Sequence, residues 1–169
     1  LLWLRKDWLD NLKLQPPVTM DDLDKVAKAF VENDPDQNGQ NDTYGVSLQK
    51  NLFFWAYDLR GFFNGFGAYP SIGDNQSAWI KDSSGKLIPG LIQPEVKNAL
   101  GKLQSWYQDG ILDKEFALKD ENKAVEDITA GKVGIVYGEW WYPNYPLNLN
   151  VDKDPKAEWI AIQIPGLDG

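Results

Sequence analysis

The sequence has no cysteine and no histidine among its 169 residues. Thiol catalysis, histidine-based triads and metal sites built on these two side chains are therefore excluded. No apolar run approaches the roughly 20 residues that a bilayer requires, so we expect no membrane insertion by this segment. Basic residues are also few, because 17 Lys and Arg stand against 25 Asp and Glu, for a net charge of −8. Nucleic acids bind mainly through phosphate neutralisation, so this balance argues against a nucleic-acid partner.

Aromatic residues are abundant instead, at 13% of the chain with eight tryptophans. The hydrophobic fraction of 43% and the charged fraction of 25% are typical of a globular domain. The length predicts one domain or one lobe of a larger protein. The chain opens on Leu1-Leu2-Trp3-Leu4 and closes on a Pro-Gly turn, and we expect it to be an internal piece of a longer protein.

The pattern of apolar residues predicts an α/β layered domain, because helices and strands alternate along the chain. Thr19 is predicted to cap a helix, with Asp22 in the capping-box position. A helix beginning at Pro94 is expected to end in a Schellman-like turn at Gly110. The predicted helices are 6–12, 19–32, 51–64, 94–109 and 120–130, and the predicted strands are 2–4, 45–48, 79–81, 86–88, 132–137 and 159–164.

The segment 34–42 resembles the first part of an EF-hand calcium loop. Oxygen-bearing side chains occupy alternate positions, and Gly39 at the sixth position permits the sharp turn that such loops need. Position 12 is Gly45 where an EF-hand has a bidentate Glu, so the loop is not an EF-hand and a remaining ligand must come from Thr43 or elsewhere. The alternative is an acidic surface turn without a metal. We expect any bound Ca²⁺ to be structural, with the candidate ligands Asp34, Asp36, Asn38, the Gln40 carbonyl and Asp42, and with Thr43 or another residue completing the set.

A second candidate site is the aromatic segment 137–145, which follows a predicted strand. Ligand crevices of α/β sheets usually open at such strand ends. The faces of Trp140 and Trp141 can lie on the C–H face of a sugar, while Glu139 and Asn144 can hydrogen-bond to its hydroxyls. The alternative is a core plug, in which one indole is buried under the sheet and the other caps its edge.

The remaining aromatic residues are assigned mainly to the core. The segment around Trp55 is rich in phenylalanine, and Trp55 or Tyr57 is kept as a further candidate for the cleft. Four tryptophans lie in apolar patterns and are predicted to be structural: Trp3, Trp8, Trp106 and Trp159. Nucleophile elbows, phosphate-binding loops and dinucleotide fingerprints are absent from the sequence. A glycosidase pair including Glu139 carries little weight, because 25 acidic residues supply some pair by chance.

The order of these segments resembles the family 1 extracellular solute-binding proteins, the lipoprotein receptors of bacterial carbohydrate ABC importers. The resemblance covers essentially the whole chain and is carried by the segments 2–10 (LWLRKDWLD), 19–23 (TMDDL), 29–30 (AF), 34–39 (DPDQNG), 42–45 (DTYG), 103–112 (LQSWYQDGIL), 130–134 (AGKVG) and 164–169 (IPGLDG).

The resemblance implies a two-lobed fold of the periplasmic-binding-protein type II class, of which this chain would supply mostly the second lobe. Residues 1–48 would hold hinge-side helices and the calcium loop, and 49–169 the α/β core. The receptor would close on a mono- or oligosaccharide without turning it over and deliver it to the transmembrane subunits of a permease. It would lie outside the cell, as a surface lipoprotein or in the periplasm. Since half of the cleft would be missing, we expect this chain alone to bind sugar weakly.

Two other functions stay open at this stage. The chain could belong to an exported carbohydrate-active enzyme or its binding module, which hydrolysis dependent on Glu139 would reveal. It could also be a structural or interaction domain, in which the Trp-rich loop meets a protein partner.

Overall fold

The computed structural model describes residues 1–54, 57–73 and 76–168. Its strands are β1 (Leu2–Arg5), β2 (Tyr44–Val46), β3 (Ser71–Gly73), β4 (Gln76–Ser77), β5 (Trp79–Lys81), β6 (Leu87–Pro89), β7 (Val133–Tyr137) and β8 (Trp159–Ile162). Its α-helices are α1 (Lys6–Leu12), α2 (Met20–Glu32), α3 (Arg60–Gly65), α4 (Pro94–Gln108), α5 (Glu121–Thr129) and α6 (Leu147–Lys153). None of the helices in these ranges has the length and hydropathy that a bilayer crossing needs.

Four strands form the main sheet, in the order β2-β7-β1-β8. Strands β2 and β7 run parallel, with Val46 opposite Ile135. Strand β1 is antiparallel to both of its neighbours, with Leu2 opposite Tyr137 on one side and Ile162 on the other. The carboxyl ends of β2 and β7 and the amino end of β1 therefore share one edge of the sheet.

Helices cover both faces of this sheet, which confirms the predicted α/β layering. Side chains of α1 to α4 form one core with alternate residues of β1 and β7, and side chains of α5 and α6 form a second core. At the centre of β7, a Cβ on Gly134 would lie 2.3 Å from the Phe30 ring and 2.6 Å from the Trp8 ring. Only glycine fits there, because the helical layer packs directly on the strand backbone.

The tryptophans assigned to structural roles are confirmed in those roles. Trp3, Trp8 and Trp106 are buried, and the rings of Trp8 and Phe30 meet edge to face with centroids 5.2 Å apart. Trp159 is half-buried and donates from Nε1 to Asn150 Oδ1 at 2.9 Å.

The predicted helix over 51–64 is wrong in its first part, since α3 is the one helix among the described residues of this stretch. The Leu59 amide donates to the Leu52 carbonyl at 3.0 Å, and Tyr57 has a φ of 60° that no right-handed helix contains. Packing decided this segment, because Phe53 and Tyr57 reach the two cores from outside a helix. Helix α6 and the short strands β3 and β4 were not predicted.

Local signals at helix ends were read correctly. The Thr19 hydroxyl accepts from the Asp22 amide at 3.1 Å and the Asp22 carboxylate accepts from the Thr19 amide at 3.2 Å, which completes the capping box. At the end of α4, the Ile111 amide donates to the Trp106 carbonyl at 2.9 Å, and Gly110 has a φ of 77°. These are the marks of a Schellman motif.

Replacing Thr19 with alanine is expected to lower the free energy of unfolding by about 1 kcal/mol, because the Asp22 amide loses its acceptor at the first turn of α2. Chemical denaturation of the chain measures this difference. Thr19→Ser keeps the oxygen and serves as the control, so equal losses in the two variants would contradict the capping explanation.

Candidate functional site

The sheet edge that gathers the carboxyl ends of β2 and β7 carries the first candidate site. The Gly138 amide donates to the Leu1 carbonyl at 3.1 Å, so the loop after β7 lies directly beside the start of β1. The indole Nε1 of Trp3 donates to the Glu139 carbonyl at 3.0 Å. Two long-range bonds thus hold the first residues of the Trp-bearing loop, which we define as residues 138–145.

Trp140 is the most exposed aromatic residue of this loop, with 75% of its surface accessible. Trp141 is half-buried and its ring centroid lies 5.1 Å from that of Tyr142. Asn144 is exposed, and its amide donates to the Trp141 carbonyl at 2.9 Å in a turn. Tyr142 is the residue that fills the core here, so the loop buries a tyrosine and presents an indole. A role for these residues in binding stays a prediction.

Close packing fixes Tyr142 against the backbone of its own loop. A Cβ at Gly138 would lie 2.0 Å from the Tyr142 ring, so only glycine leaves room for it. The Tyr142 hydroxyl accepts a hydrogen bond from the Tyr57 amide at 3.0 Å. Burial raises the pKa of the Tyr57 and Tyr142 hydroxyls above the ordinary value of tyrosine, so both remain neutral phenols at physiological pH.

A small cleft opens beside this loop, with a volume of about 140 Å³. Complete small-molecule sites have volumes of roughly 300–1,000 Å³, so the cleft is smaller than a complete site. The Arg60 guanidinium forms an ion pair with Asp58, whose Oδ1 also accepts from the Arg60 amide at 2.8 Å. The lining residues are Leu1, Asp58, Arg60, Gly61, Tyr137, Gly138, Glu139 and Ile164.

Of these lining residues, only Glu139 was singled out from the sequence. Asp58 lies just before α3 and Arg60 is the first residue of that helix, and both line the cleft together with Glu139. An Asp-Leu-Arg sequence carries no signal that would have identified them. Of the two further candidates for the cleft, Trp55 lies outside the described residues, and Tyr57 is buried and does not line the cleft.

The second candidate site is the acidic loop between α2 and β2, residues 34–42. Asp34 accepts from the amides of Asn38 and Gly39, at 3.1 and 3.0 Å. The side-chain nitrogen of Asn38 donates to Asp36 at 2.9 Å and to Asp42 at 3.2 Å, so one amide group bridges two carboxylates. Asp34, Gln37 and Gly39 have positive φ angles, which produce the tight winding of the loop.

The negative charges of this loop repel one another. Partial burial raises the pKa of Asp36, and the neighbouring Asp34 and Asp42 raise it further. Carboxylate, amide and carbonyl oxygens are the donors that Ca²⁺ prefers, and a cation would offset this repulsion. The chemistry of the donor set therefore fits calcium.

The geometry of the loop is not that of a finished metal site. Across the described ranges, no three acidic side chains are gathered in a way that could hold a metal ion. The Gln40 amide donates to Asn38 Oδ1 at 2.7 Å, so that oxygen is engaged within the loop. Thr43 is buried and its hydroxyl donates to the Phe30 carbonyl at 2.7 Å, which ties it to the end of α2. The ligand set stays a prediction.

Comparisons of the sequence with known proteins identify one family. A family model described as bacterial extracellular solute-binding protein matches residues 1–169. The polygalacturonan/rhamnogalacturonan-binding protein YtcQ of Bacillus subtilis (strain 168) is 34% identical over 166 residues, which are 98% of this chain and 31% of YtcQ. The fructooligosaccharide ABC transporter substrate-binding protein FusA of Streptococcus pneumoniae serotype 4 is 31% identical over 140 residues, which are 83% of this chain and 25% of FusA.

Solved structures agree on the fold. An extracellular solute-binding protein from Bifidobacterium longum subsp. infantis superposes with a TM-score of 0.78 at 28% identity, over 98% of this chain and 33% of that protein. An EF-hand mutant of S. pneumoniae FusA, solved with fructo-nystose, superposes with a TM-score of 0.75 at 24% identity, over 99% of this chain and 32% of FusA. The chain thus spans about a third of the length of these relatives.

Proposed function

Since the chain belongs to the bacterial extracellular solute-binding protein family, we propose that it forms part of a receptor that captures a mono- or oligosaccharide for an ABC importer. Its curated relatives are binding proteins, among them the polygalacturonan/rhamnogalacturonan-binding YtcQ and the fructooligosaccharide-binding FusA. The receptor would deliver the sugar to the transmembrane subunits of a permease without chemical change. Relatives such as the lipoprotein LipO of B. subtilis support a place outside the cell, at the surface or in the periplasm.

One observation carries this proposal: a largely exposed indole, Trp140, stands on a loop whose neighbouring residues are fixed by buried contacts. An indole face in water favours the apolar C–H face of a sugar ring, and polar groups at its border fix the orientation of the hydroxyls. Glu139 and the Asp58–Arg60 ion pair lie in the cleft beside the loop and supply such groups.

The cleft of this chain is one wall, and the other wall would belong to the rest of the receptor. We therefore expect closure of two lobes around the sugar, with weak binding by this chain alone. The chain would be mostly the second lobe, with residues 1–48 on the hinge side and 49–169 as its α/β core.

We also propose that the loop 34–42 binds Ca²⁺ as a brace between α2 and β2. The ligands would be Asp34, Asp36, Asn38, the Gln40 carbonyl, Asp42 and Thr43. Rotation of the Asn38 amide would exchange its nitrogen for its oxygen between Asp36 and Asp42. An EF-hand mutant of FusA has been solved, so this relative has an EF-hand, which supports a calcium loop in the family. The site would hold the scaffold and take no part in sugar recognition, since the loop precedes β2 and the cleft lies beyond the end of that strand.

Titration of the full-length receptor with fructo-oligosaccharides and galacturonate oligomers tests the saccharide proposal. We expect Trp140→Ala to weaken affinity about thirtyfold, since a central aromatic contact is worth roughly 2 kcal/mol. Trp79→Ala is the matched control, because Trp79 is also an exposed indole, 65% accessible, on the separate β5–β6 hairpin. Calorimetry gives both affinities.

Equal affinity of Trp140→Ala and the parent receptor would contradict the role of the indole. Chromatography of the sugars after incubation separates the enzyme alternative, since shortened products lost in Glu139→Gln would identify a hydrolase. Sugar affinity intact in every variant would instead favour a protein partner for the Trp-bearing loop.

A further inference from the structure

One buried hydrogen bond joins the Trp-bearing loop to the segment that follows β2. The Tyr57 amide donates to the Tyr142 hydroxyl at 3.0 Å, across 85 positions of sequence. Both side chains are 1% exposed, and their rings meet edge to face with centroids 6.3 Å apart. A buried amide that loses its acceptor destabilises the fold, so this bond constrains the distance between the two segments.

Both segments joined by this bond contain a residue under an unusual constraint. Tyr57 has a φ of 60°, in the left-handed region that residues other than glycine rarely adopt. Such positions persist where their surroundings hold them, and they cluster at functional sites. On the other side, the Tyr142 ring lies so close to Gly138 that a Cβ there would approach it to 2.0 Å. The contact therefore goes with a left-handed residue in one segment and requires glycine in the other.

The position of the bond relates it to the exposed indole. Gly138 and Tyr142 bracket Glu139, Trp140 and Trp141, and the Trp141 ring packs against that of Tyr142. Trp140 is thus carried by a short stretch of backbone that is anchored at both ends. A side chain that is already oriented loses less conformational freedom when a ligand binds, which raises affinity.

We infer that Tyr142 is a positioning residue of the saccharide site, which holds Trp140 in one orientation through its hydroxyl bond to the Tyr57 backbone. This inference rests on the proposed function, because it concerns the same site. Tyr142 touches no sugar and acts through the loop. The hydrogen bond between Tyr57 and Tyr142 also joins the segments that follow the parallel strands β2 and β7, so each segment limits the movement of the other.

The test compares Tyr142→Phe with Tyr44→Phe in the full-length receptor. Tyr44 is the matched control, because its hydroxyl accepts from Lys119 Nζ at 3.0 Å at the opposite, amino-terminal end of β2. We expect Tyr142→Phe to weaken saccharide affinity about tenfold, which corresponds to about 1.4 kcal/mol. Tyr44→Phe should lower the melting temperature and leave affinity unchanged. Calorimetry and thermal melting supply these values.

A spectroscopic readout separates positioning from a general loss of stability. In receptor labelled with 5-fluorotryptophan, the fluorine resonance of Trp140 is assigned by its loss in Trp140→Phe. We expect one narrow resonance in the parent protein and a broadened or split one in Tyr142→Phe, well below the melting temperature. Unchanged affinity together with an unchanged resonance would overturn the inference.

Failure of the proposed function has a different signature, since the parent receptor itself would then bind none of the saccharides. If Tyr142→Phe does not fold, hydrogen exchange of the parent protein decides the matter. The Tyr57 amide should be protected in the free receptor and more strongly protected with sugar. Rapid exchange of that amide in both states would overturn the inference.

Discussion

Replacing Arg5 with alanine is expected to lower the free energy of unfolding by about 3 kcal/mol, since it leaves a partly buried carboxylate without its cation. Arg5 is only 1% exposed at the end of β1. Its Nε and one terminal nitrogen donate to the two oxygens of Asp7 at 2.8 and 2.6 Å. Its other terminal nitrogen donates to Asn150 at 3.3 Å. The guanidinium lies 4.8 Å above the Trp8 ring and 5.8 Å from the Trp159 ring.

Lys6→Ala is the matched control for this prediction, because it removes the same charge from the neighbouring residue. Lys6 pairs with Asp10 at the surface, where solvent screens the interaction, so we expect little change. Arg5→Met retains most of the packing and separates the loss of charge from the loss of contacts. Thermal and chemical denaturation of the chain measure all three variants, and an Arg5→Ala curve that overlays the parent curve would refute the prediction.

Calcium is expected to stabilise the chain by about 4 kcal/mol when the free ion is a thousandfold above its Kd, because only the folded loop gathers the ligands. Thermal melting in calcium and in EDTA measures this shift. Asp36→Asn should reduce it strongly, because one of the proposed carboxylate ligands is lost. In EDTA the same variant should be at least as stable as the parent chain, since the repulsion from Asp34 and Asp42 falls.

Asp82→Asn is the control for the calcium experiment. Asp82 accepts from the Ser84 and Lys86 amides at 2.9 and 3.0 Å in the β5–β6 turn, so it has a similar local role without an acidic neighbourhood. Its calcium shift should equal that of the parent chain. A melting temperature indifferent to both calcium and EDTA would show that 34–42 is an acidic surface turn.

Much of the fold was predictable because its signals are local. The capping box at Thr19 and the Schellman turn at Gly110 involve residues within a few positions of one another. The hairpin of β5 and β6 follows from turn residues between two short apolar strands. Helix α4 and strand β7 follow from the spacing of their apolar residues. Such features depend on backbone geometry and side-chain spacing that a short window contains.

The helix that was predicted over 51–64 shows the limit of this approach. Its aromatic residues satisfy a helical pattern, and a non-helical backbone can bury the same side chains, as Phe53 and Tyr57 show. The hydrogen bond from Leu59 to Leu52 and the left-handed backbone of Tyr57 form because this course of the backbone packs against the surrounding helices and sheet. Periodicity cannot distinguish the two, since both bury the same side chains.

The sequence by itself determined the class of fold, the acidic loop and the Trp-bearing loop. Each of them depends on patterns of residues that are contiguous in the chain. Only the tertiary structure decided that Asp58 and Arg60 line one cleft with Glu139, that the Tyr142 hydroxyl bonds to the Tyr57 amide, and that Arg5 reaches Asn150. The physical reason is that these contacts join residues far apart in the chain. Strand order and register place them together, and no local pattern of residues encodes that placement.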